Sequence, residues 1–280
     1  MQVKIARKLG FCFGVERAIE LAQQTLAQRG GEISSLGEII HNRQVVEKLA
    51  GQGLNVIDDA EQASGTVLIR SHGEGPEVFE RLHARGTRIV DATCVLVKRA
   101  QQMVAALVQE GYRVVVIGQA EHPEVRAIAA YAPEVICVDR PEDLHRLPPG
   151  GKLGIICQTT HSVEHFGEMV GRIVARGYQE VKVVNTLCGE VRDRQAAAVE
   201  LAGEVEVMFV LGGRQSANTR QLARLCAERG VPTHHLECWG DFRPEMAAGK
   251  KVAGVTAGAS TPQWIVDEFV AGLREFQPPP

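Results

Sequence analysis

The 280-residue chain lacks any apolar run long enough to span a bilayer, and MQVKIARKLG at its start contains no apolar segment of signal-peptide length. The expected setting is therefore the cytosol, with no membrane partner. A net charge of only −3 gives no general attraction for nucleic acid, so a small anion would need a local site. No low-complexity linker interrupts the chain. There are seven cysteines but no C-x-x-C pair. In a cytosolic setting such cysteines argue for metal binding or catalysis rather than a disulfide framework. The missing close pairs weaken a structural zinc reading, since such sites draw on paired ligands.

What is present is an ordinary globular composition, with 45% hydrophobic and 23% charged residues, in a chain longer than one usual domain. Short β-branched runs alternate with amphipathic helical patterns, which predicts α/β architecture with mostly parallel strands. The expected strands are 3–6, 33–36, 54–57, 66–70, 88–90, 112–117, 135–138, 153–157, 181–184, 207–211 and 252–256. Helices are expected over 15–28, 44–50, 76–85, 96–110, 161–176 and 192–201, with others near 123–130, from Ser216 to 229, and at the C-terminus after Pro262. The tail from Pro278 to Pro280 is expected to be disordered. Three α/β lobes are expected, at 1–94, 95–187 and 188–280, arranged with pseudo-threefold symmetry.

The division rests on three cysteines in one local context. Cys12, Cys94 and Cys188 each follow a short strand and a polar or glycine turn, and each precedes a helix. At such a junction, exposed backbone N–H groups and the helix dipole stabilise a thiolate. Three widely spaced thiolates with no obvious fourth suit a cubane iron–sulfur cluster with one open iron, while zinc or one merely buried thiol remain alternatives. Cys137, Cys157, Cys226 and Cys238 read as small buried hydrophobes.

Ligands of parallel α/β sheets bind at the carboxyl ends of the strands. Those ends carry His41, His72, His122 with Glu124, Thr159, Ser216 with Asn218, and Ser260. Gly212-Gly213 before Ser216, and Gly258 before Ser260, combine small residues, helix N-terminal donors and hydroxyl or amide groups, which suits phosphate and equally suits plain helix caps. Three histidines after strands could donate to a diphosphate, from both ring nitrogens when protonated. Glu124 is the best placed carboxylate for proton delivery, against the plainer reading of a first-turn glutamate. Thr159 could position a substrate hydroxyl or cap a helix.

Taken together, GFCFGVERAI, GEIIHN, RSHGEG, DATC, HPEV, QTT, NTLC with Arg194-Gln195, GGRQSAN and TAGASTP resemble the 4-hydroxy-3-methylbut-2-enyl diphosphate reductase family of LytB-type iron–sulfur enzymes, over nearly the whole chain. The resemblance implies a three-lobed α/β fold around one [4Fe–4S] cluster per chain, held by Cys12, Cys94 and Cys188, with an apical iron free of protein ligands. It implies a diphosphate among His41, His72, His122, Ser216, Asn218 and Ser260, and a catalytic set of Glu124, Thr159 and His122. It further implies reductive loss of the substrate's allylic hydroxyl, in the non-mevalonate route to isoprenoids. A ferredoxin- or flavodoxin-like electron donor is implied as partner, and a monomer is expected.

The chain departs from the family pattern at Ala217, where a second serine is usual, at Glu190-Val191 after Cys188, and at Val95 and Val97 after Cys94. Glu190 adds a carboxylate that would disfavour an anionic substrate. The alternative reading is therefore a paralogue with the same cluster and a different hydroxylated, anionic substrate, or, at the furthest remove, a non-enzymatic cluster-based sensor.

Overall fold

The structure, a computed structural model, describes residues 1–28 and 31–276. Within them, three four-stranded sheets form, and every strand pairing is parallel. The sheet of the C-terminal part has the order β1 (Gln2–Ile5), β12 (Val252–Ala257), β10 (Val207–Leu211), β11 (Thr233–Leu236). A second has the order β3 (Leu54–Ile57), β2 (Ile33–Leu36), β4 (Thr66–Ile69), β5 (Arg88–Asp91). The third has the order β7 (Ile136–Val138), β6 (Arg113–Ile117), β8 (Lys152–Cys157), β9 (Glu180–Val183).

The central strands are apolar without alternation because helices cover both faces of a parallel sheet. VMFVL of β10 is buried at every position, and VVVI of β6 is buried after its exposed Arg113. Leu107, Val114, Val116, Val125 and Ile128 pack on one side of β6, and Val115, Ile117, Phe166, Met169 and Ile173 on the other.

The helices are α1 (Phe13–Ala27), α2 (Arg43–Ala50), α3 (Pro76–Ala84), α4 (Val95–Gln109), α5 (Pro123–Ala129), α6 (Val163–Val174), α7 (Gly189–Ala202), α8 (Ala217–Ala227) and α9 (Gln263–Glu275). Pro76 and Pro123 occupy first-turn positions, where a missing N–H costs nothing.

The chain divides into two compact units. One comprises Met1–Glu16, Ile40–Glu47 and Gly189–Pro280, and holds the sheet of β1, β12, β10 and β11. The other comprises Arg17–Ile39 and Lys48–Cys188, and holds the other two sheets.

The expected strands and helices are present to within a few residues at their ends, with three differences. Gln2–Ile5 does not join the sheet of residues 33–91; it pairs with Val252–Ala257, with Val3 opposite Ala253. Four residues carry no mark of which distant strand they will meet, so only tertiary pairing decides this. Thr233–Leu236 forms an edge strand against β10, although THHL has no apolar alternation to announce it. Finally, α7 begins at Gly189, directly after Cys188, rather than near Arg192. The tail from Pro278 lies outside the described residues.

Candidate active site

Within a parallel sheet all strands point the same way, so the loops that follow them share one end. In the unit built on β1, β12, β10 and β11, that end carries Cys12, His41, Ser216, Asn218 and Ser260. The loop after β12 is its organiser. Ala259 accepts a hydrogen bond from the Cys12 N–H at 3.2 Å, and the Ser260 hydroxyl donates to the His41 carbonyl at 3.1 Å. The Cys12 carbonyl accepts from the Glu16 N–H at 2.9 Å, so the cysteine caps α1.

Glycine is required where these loops meet. A Cβ on Gly213 would run into the His41 carbonyl, and one on Gly258 would run into the Thr219 hydroxyl. Ser216 caps α8, its Oγ accepting from the Thr219 N–H at 3.3 Å. Asn218, in the first turn, is buried, and neither its Oδ1 nor its Nδ2 has a hydrogen-bond partner. An orphaned buried amide costs roughly 1–3 kcal/mol, so it points to a ligand that completes it.

A residue whose role the sequence left unread supports this loop set. Arg194 of α7 has 0% exposure. Its Nη1 donates to the carbonyls of Lys8 at 3.4 Å and Ala257 at 3.2 Å, and its Nη2 to that of Gly10 at 3.0 Å. The guanidinium thus ties the turn before Cys12 to the end of β12. Its motif position was visible in NTLC-x-x-x-x-x-RQ, but a buried arginine reaching carbonyls nearly two hundred residues away leaves no local signal.

Glu190, expected to add negative charge, is paired. Lys8 Nζ lies 3.0 Å from its carboxylate. The pair neutralises itself, which corrects the expectation that Glu190 repels an anion.

In the other unit, the strand ends carry His72, Cys94, His122, Glu124, Thr159 and Cys188. Cys94 caps α4, and its N–H donates to the Ser71 carbonyl at 3.0 Å. Gly73, with φ at +76°, closes this turn, because a Cβ there would press on Thr93 and Gln101. Asp91 Oδ1 accepts from the Thr93 N–H at 2.9 Å and from its hydroxyl at 2.5 Å, and Lys98 pairs with Oδ2. Burial would raise the Asp91 pKa, but the hydrogen bonds from Lys98 and Thr93 outweigh it and hold the carboxylate below its ordinary range.

His72 and His122 stand edge to face, with ring centroids 5.5 Å apart. The Glu124 N–H donates to His122 Nδ1 at 3.2 Å, so this ring caps α5 and presents Nε2 as its donor. Donation from both nitrogens, expected of all three histidines, does not hold for His122 as capped.

Glu124 is 3% exposed. Burial raises its pKa, opposed by two hydrogen bonds from Thr159. The Thr159 N–H donates to Oε1 at 2.7 Å and the Thr159 hydroxyl to Oε2 at 2.8 Å. On its other side, the Thr159 carbonyl accepts from the Cys188 N–H at 3.0 Å. The loops after β6 and β8 lock together: a Cβ on Gly118 would collide with Val125 and Gln158, and Gln158 Oε1 accepts from the Gln119 N–H at 3.1 Å.

None of the seven cysteines is in a disulfide. Cys157 and Cys226 are buried as expected, and burial pushes the Cys226 thiol up to about 11. Cys137 and Cys238 are only partly buried, a correction to the expectation for those two. Of the departures from the family pattern, Val97 and Val191 are core residues, while Val95 is exposed on the first turn of α4.

Residues 3–274 match the family model described as LytB protein. The chain is 46% identical over 273 residues to the 4-hydroxy-3-methylbut-2-enyl diphosphate reductase of Citrifermentans bemidjiense, covering 96% of each chain. It is 43% identical to the reductase of the same name from Geobacter sulfurreducens, over 99% of this chain and 98% of that one. Among solved structures, it is similar to that of (E)-4-hydroxy-3-methyl-but-2-enyl diphosphate reductase, the terminal enzyme of the non-mevalonate pathway. The TM-score is 0.71 and the identity 39%, covering 99% of this chain and 100% of that one. It is also similar to the structure of the E-1-hydroxy-2-methyl-but-2-enyl-4-diphosphate reductase from Plasmodium falciparum. There the TM-score is 0.92 and the identity 26%, covering 99% of this chain and 89% of that one.

Proposed function

The chain belongs to the LytB family, and from that premise we propose that it reduces 4-hydroxy-3-methylbut-2-enyl diphosphate, replacing the allylic hydroxyl by hydrogen to give isopentenyl and dimethylallyl diphosphates. The balance is R–OH + 2 e⁻ + 2 H⁺ → R–H + H₂O. The observation that carries this reading is Glu124, a buried carboxyl with a raised pKa, joined through Thr159 to the backbone of Cys188.

The donor set fits an iron–sulfur cluster. Cys12, Cys94 and Cys188 each stand at the N-terminus of a helix, where backbone donors favour an anionic ligand. Three thiolates for four irons would leave one iron without a protein ligand. A [4Fe–4S] cluster held by these cysteines would supply electrons singly and Lewis acidity toward the hydroxyl.

The chain's own residues do the rest. Glu124 holds one of the two protons, since burial raises its pKa and so favours the protonated carboxyl that a general acid needs. Thr159 fixes that carboxyl at both oxygens and so determines where the proton is presented. The diphosphate is bound by His41, His72, His122, Ser216, Asn218 and Ser260, with the unpaired Asn218 amide as the strongest support. His122 contributes through Nε2, since Nδ1 is engaged. The Lys8–Glu190 pair removes the electrostatic argument against an anionic substrate.

Electrons come from a one-electron carrier of the ferredoxin or flavodoxin kind. The enzyme works in the cytosol as a monomer, and no described helix is long and apolar enough to cross a membrane.

The test is anaerobic. Purified protein should carry about four irons per chain and turn over the diphosphate with a reduced low-potential dye. An intact cluster with neither turnover nor a substrate-induced spectral change would overturn the substrate assignment.

A further inference from the structure

The third sheet bears a cluster of ligating side chains that the reduction does not use. Asp139 follows β7 directly. His161 lies in the loop between β8 and α6, and His165 lies one turn further on, in α6. His161 stands just before Ser162, the N-cap of α6, and His165 in the first turn after it. Their rings are 4.8 Å apart at 55°.

The backbone groups here are satisfied elsewhere. The Asp139 N–H donates to Asp143 at 2.9 Å, the His161 N–H to the Gln158 carbonyl at 3.2 Å and the His165 N–H to Ser162 Oγ at 3.2 Å. The side chains are left facing one another. His161 Nε2 is 2.9 Å and His165 Nε2 is 3.6 Å from Asp139 Oδ1. All three atoms are buried, and none makes a hydrogen bond of acceptable geometry.

Buried polar atoms left without an aligned hydrogen bond call for a further partner, and a bound ion is one that would satisfy all three. The ligand atoms of the three residues lie within 4.8 Å of one another. A tetrahedral ion bound at 2.0–2.1 Å needs ligand atoms about 3.3 Å apart, and the two carboxylate distances bracket that value. Two imidazoles and one carboxylate suit a borderline divalent ion.

We propose that Asp139, His161 and His165 form a site for a divalent transition-metal ion of the zinc type, separate from the three cysteines. The bound ion clips the turn after β7 to the loop after β8. Thr159 is two residues from His161 in that loop, so the ion stiffens the segment that holds the Glu124 carboxyl.

The test uses cluster-loaded protein, stripped of adventitious metal with a mild chelator under anaerobic conditions, then titrated with zinc chloride while the iron content is monitored. One zinc per chain should bind with iron unchanged, and the thermal midpoint should rise. Asp139→Asn, which preserves size, and His165→Gln should each weaken zinc binding on the order of 100-fold or more, at or beyond the upper end of what loss of a ligand's outer-shell partner costs, while keeping the cluster spectrum. The proposal falls if the parent protein takes up no zinc. It also falls if both variants bind zinc as tightly as the parent, which would put the metal elsewhere. Should a variant misfold, the parent titration and the surviving variant still decide.

Discussion

Glu124 and Thr159 are joined twice, by the Thr159 N–H to one carboxylate oxygen and by its hydroxyl to the other. Both oxygens of the buried carboxyl are therefore fixed by one residue. That residue's carbonyl in turn accepts from the Cys188 N–H, so a shift of either loop moves the proton and the thiol together.

The first prediction concerns Glu124→Gln. Turnover should fall by roughly 10²–10⁴, the range supplied by a positioned general acid, with iron content and cluster spectrum unchanged. Substantial residual activity would sink the proton role. Stability gives an independent sign. Burial makes the folded-state pKa higher than the unfolded value, so the folded state binds more protons and stability is lost as pH rises toward the folded pKa. The glutamine variant should have the higher thermal midpoint near neutral pH. That advantage should fade as pH falls to about 4.3, where the unfolded carboxyl is also protonated.

Thr159→Val keeps the backbone bond and deletes the hydroxyl. The lost bond stabilised the ionised form, so the Glu124 pKa should rise further and the alkaline limb of the rate profile should move to higher pH. Turnover should drop about tenfold, the equivalent of one hydrogen bond. A rate loss with an unmoved pH profile would show that Thr159 acts otherwise.

Asn218→Ala separates binding from folding. The amide has no protein partner, so its removal should leave the thermal midpoint unchanged or higher. KM for the diphosphate should rise roughly tenfold or more if the amide completes a phosphate contact. At the neighbouring position, Ala217→Ser should lower KM. Equal affinities in both variants and the parent would move the phosphate pocket elsewhere.

Arg194→Lys should not be conservative. One ammonium on a flexible stem does not reproduce a planar fork reaching three carbonyls. Stability should fall by about 2–4 kcal/mol, since buried acceptors lose their donors. Iron per chain should also fall, because the turn before Cys12 loses its anchor. Full iron loading with a lowered midpoint would confine Arg194 to folding.

Gly258→Ala places a methyl group against Thr219. Overpacking of this kind costs about 1–3 kcal/mol. Adding Thr219→Ala should recover part of the loss, and a double variant no more stable than the single one would mean that the clash lies elsewhere.

The sequence by itself determined the local layer of this protein. Uninterrupted apolar runs such as VMFVL and VVVI mark strands covered on both faces, and each cysteine stands where a strand pattern gives way to a helical one. Capping and periodicity act over a few residues, so Cys12, Cys94 and Cys188 could be located at helix starts without coordinates. Only the tertiary structure decided what lies opposite what. It placed Gln2–Ile5 against a strand some 250 residues away, buried Arg194 among the carbonyls of a distant turn, paired Glu190 with Lys8, and set Thr159 between Glu124 and Cys188. It also brought Asp139 up to His161 and His165. These contacts follow from burial and unsatisfied hydrogen bonds summed over the packed units, and no window of the sequence contains both partners.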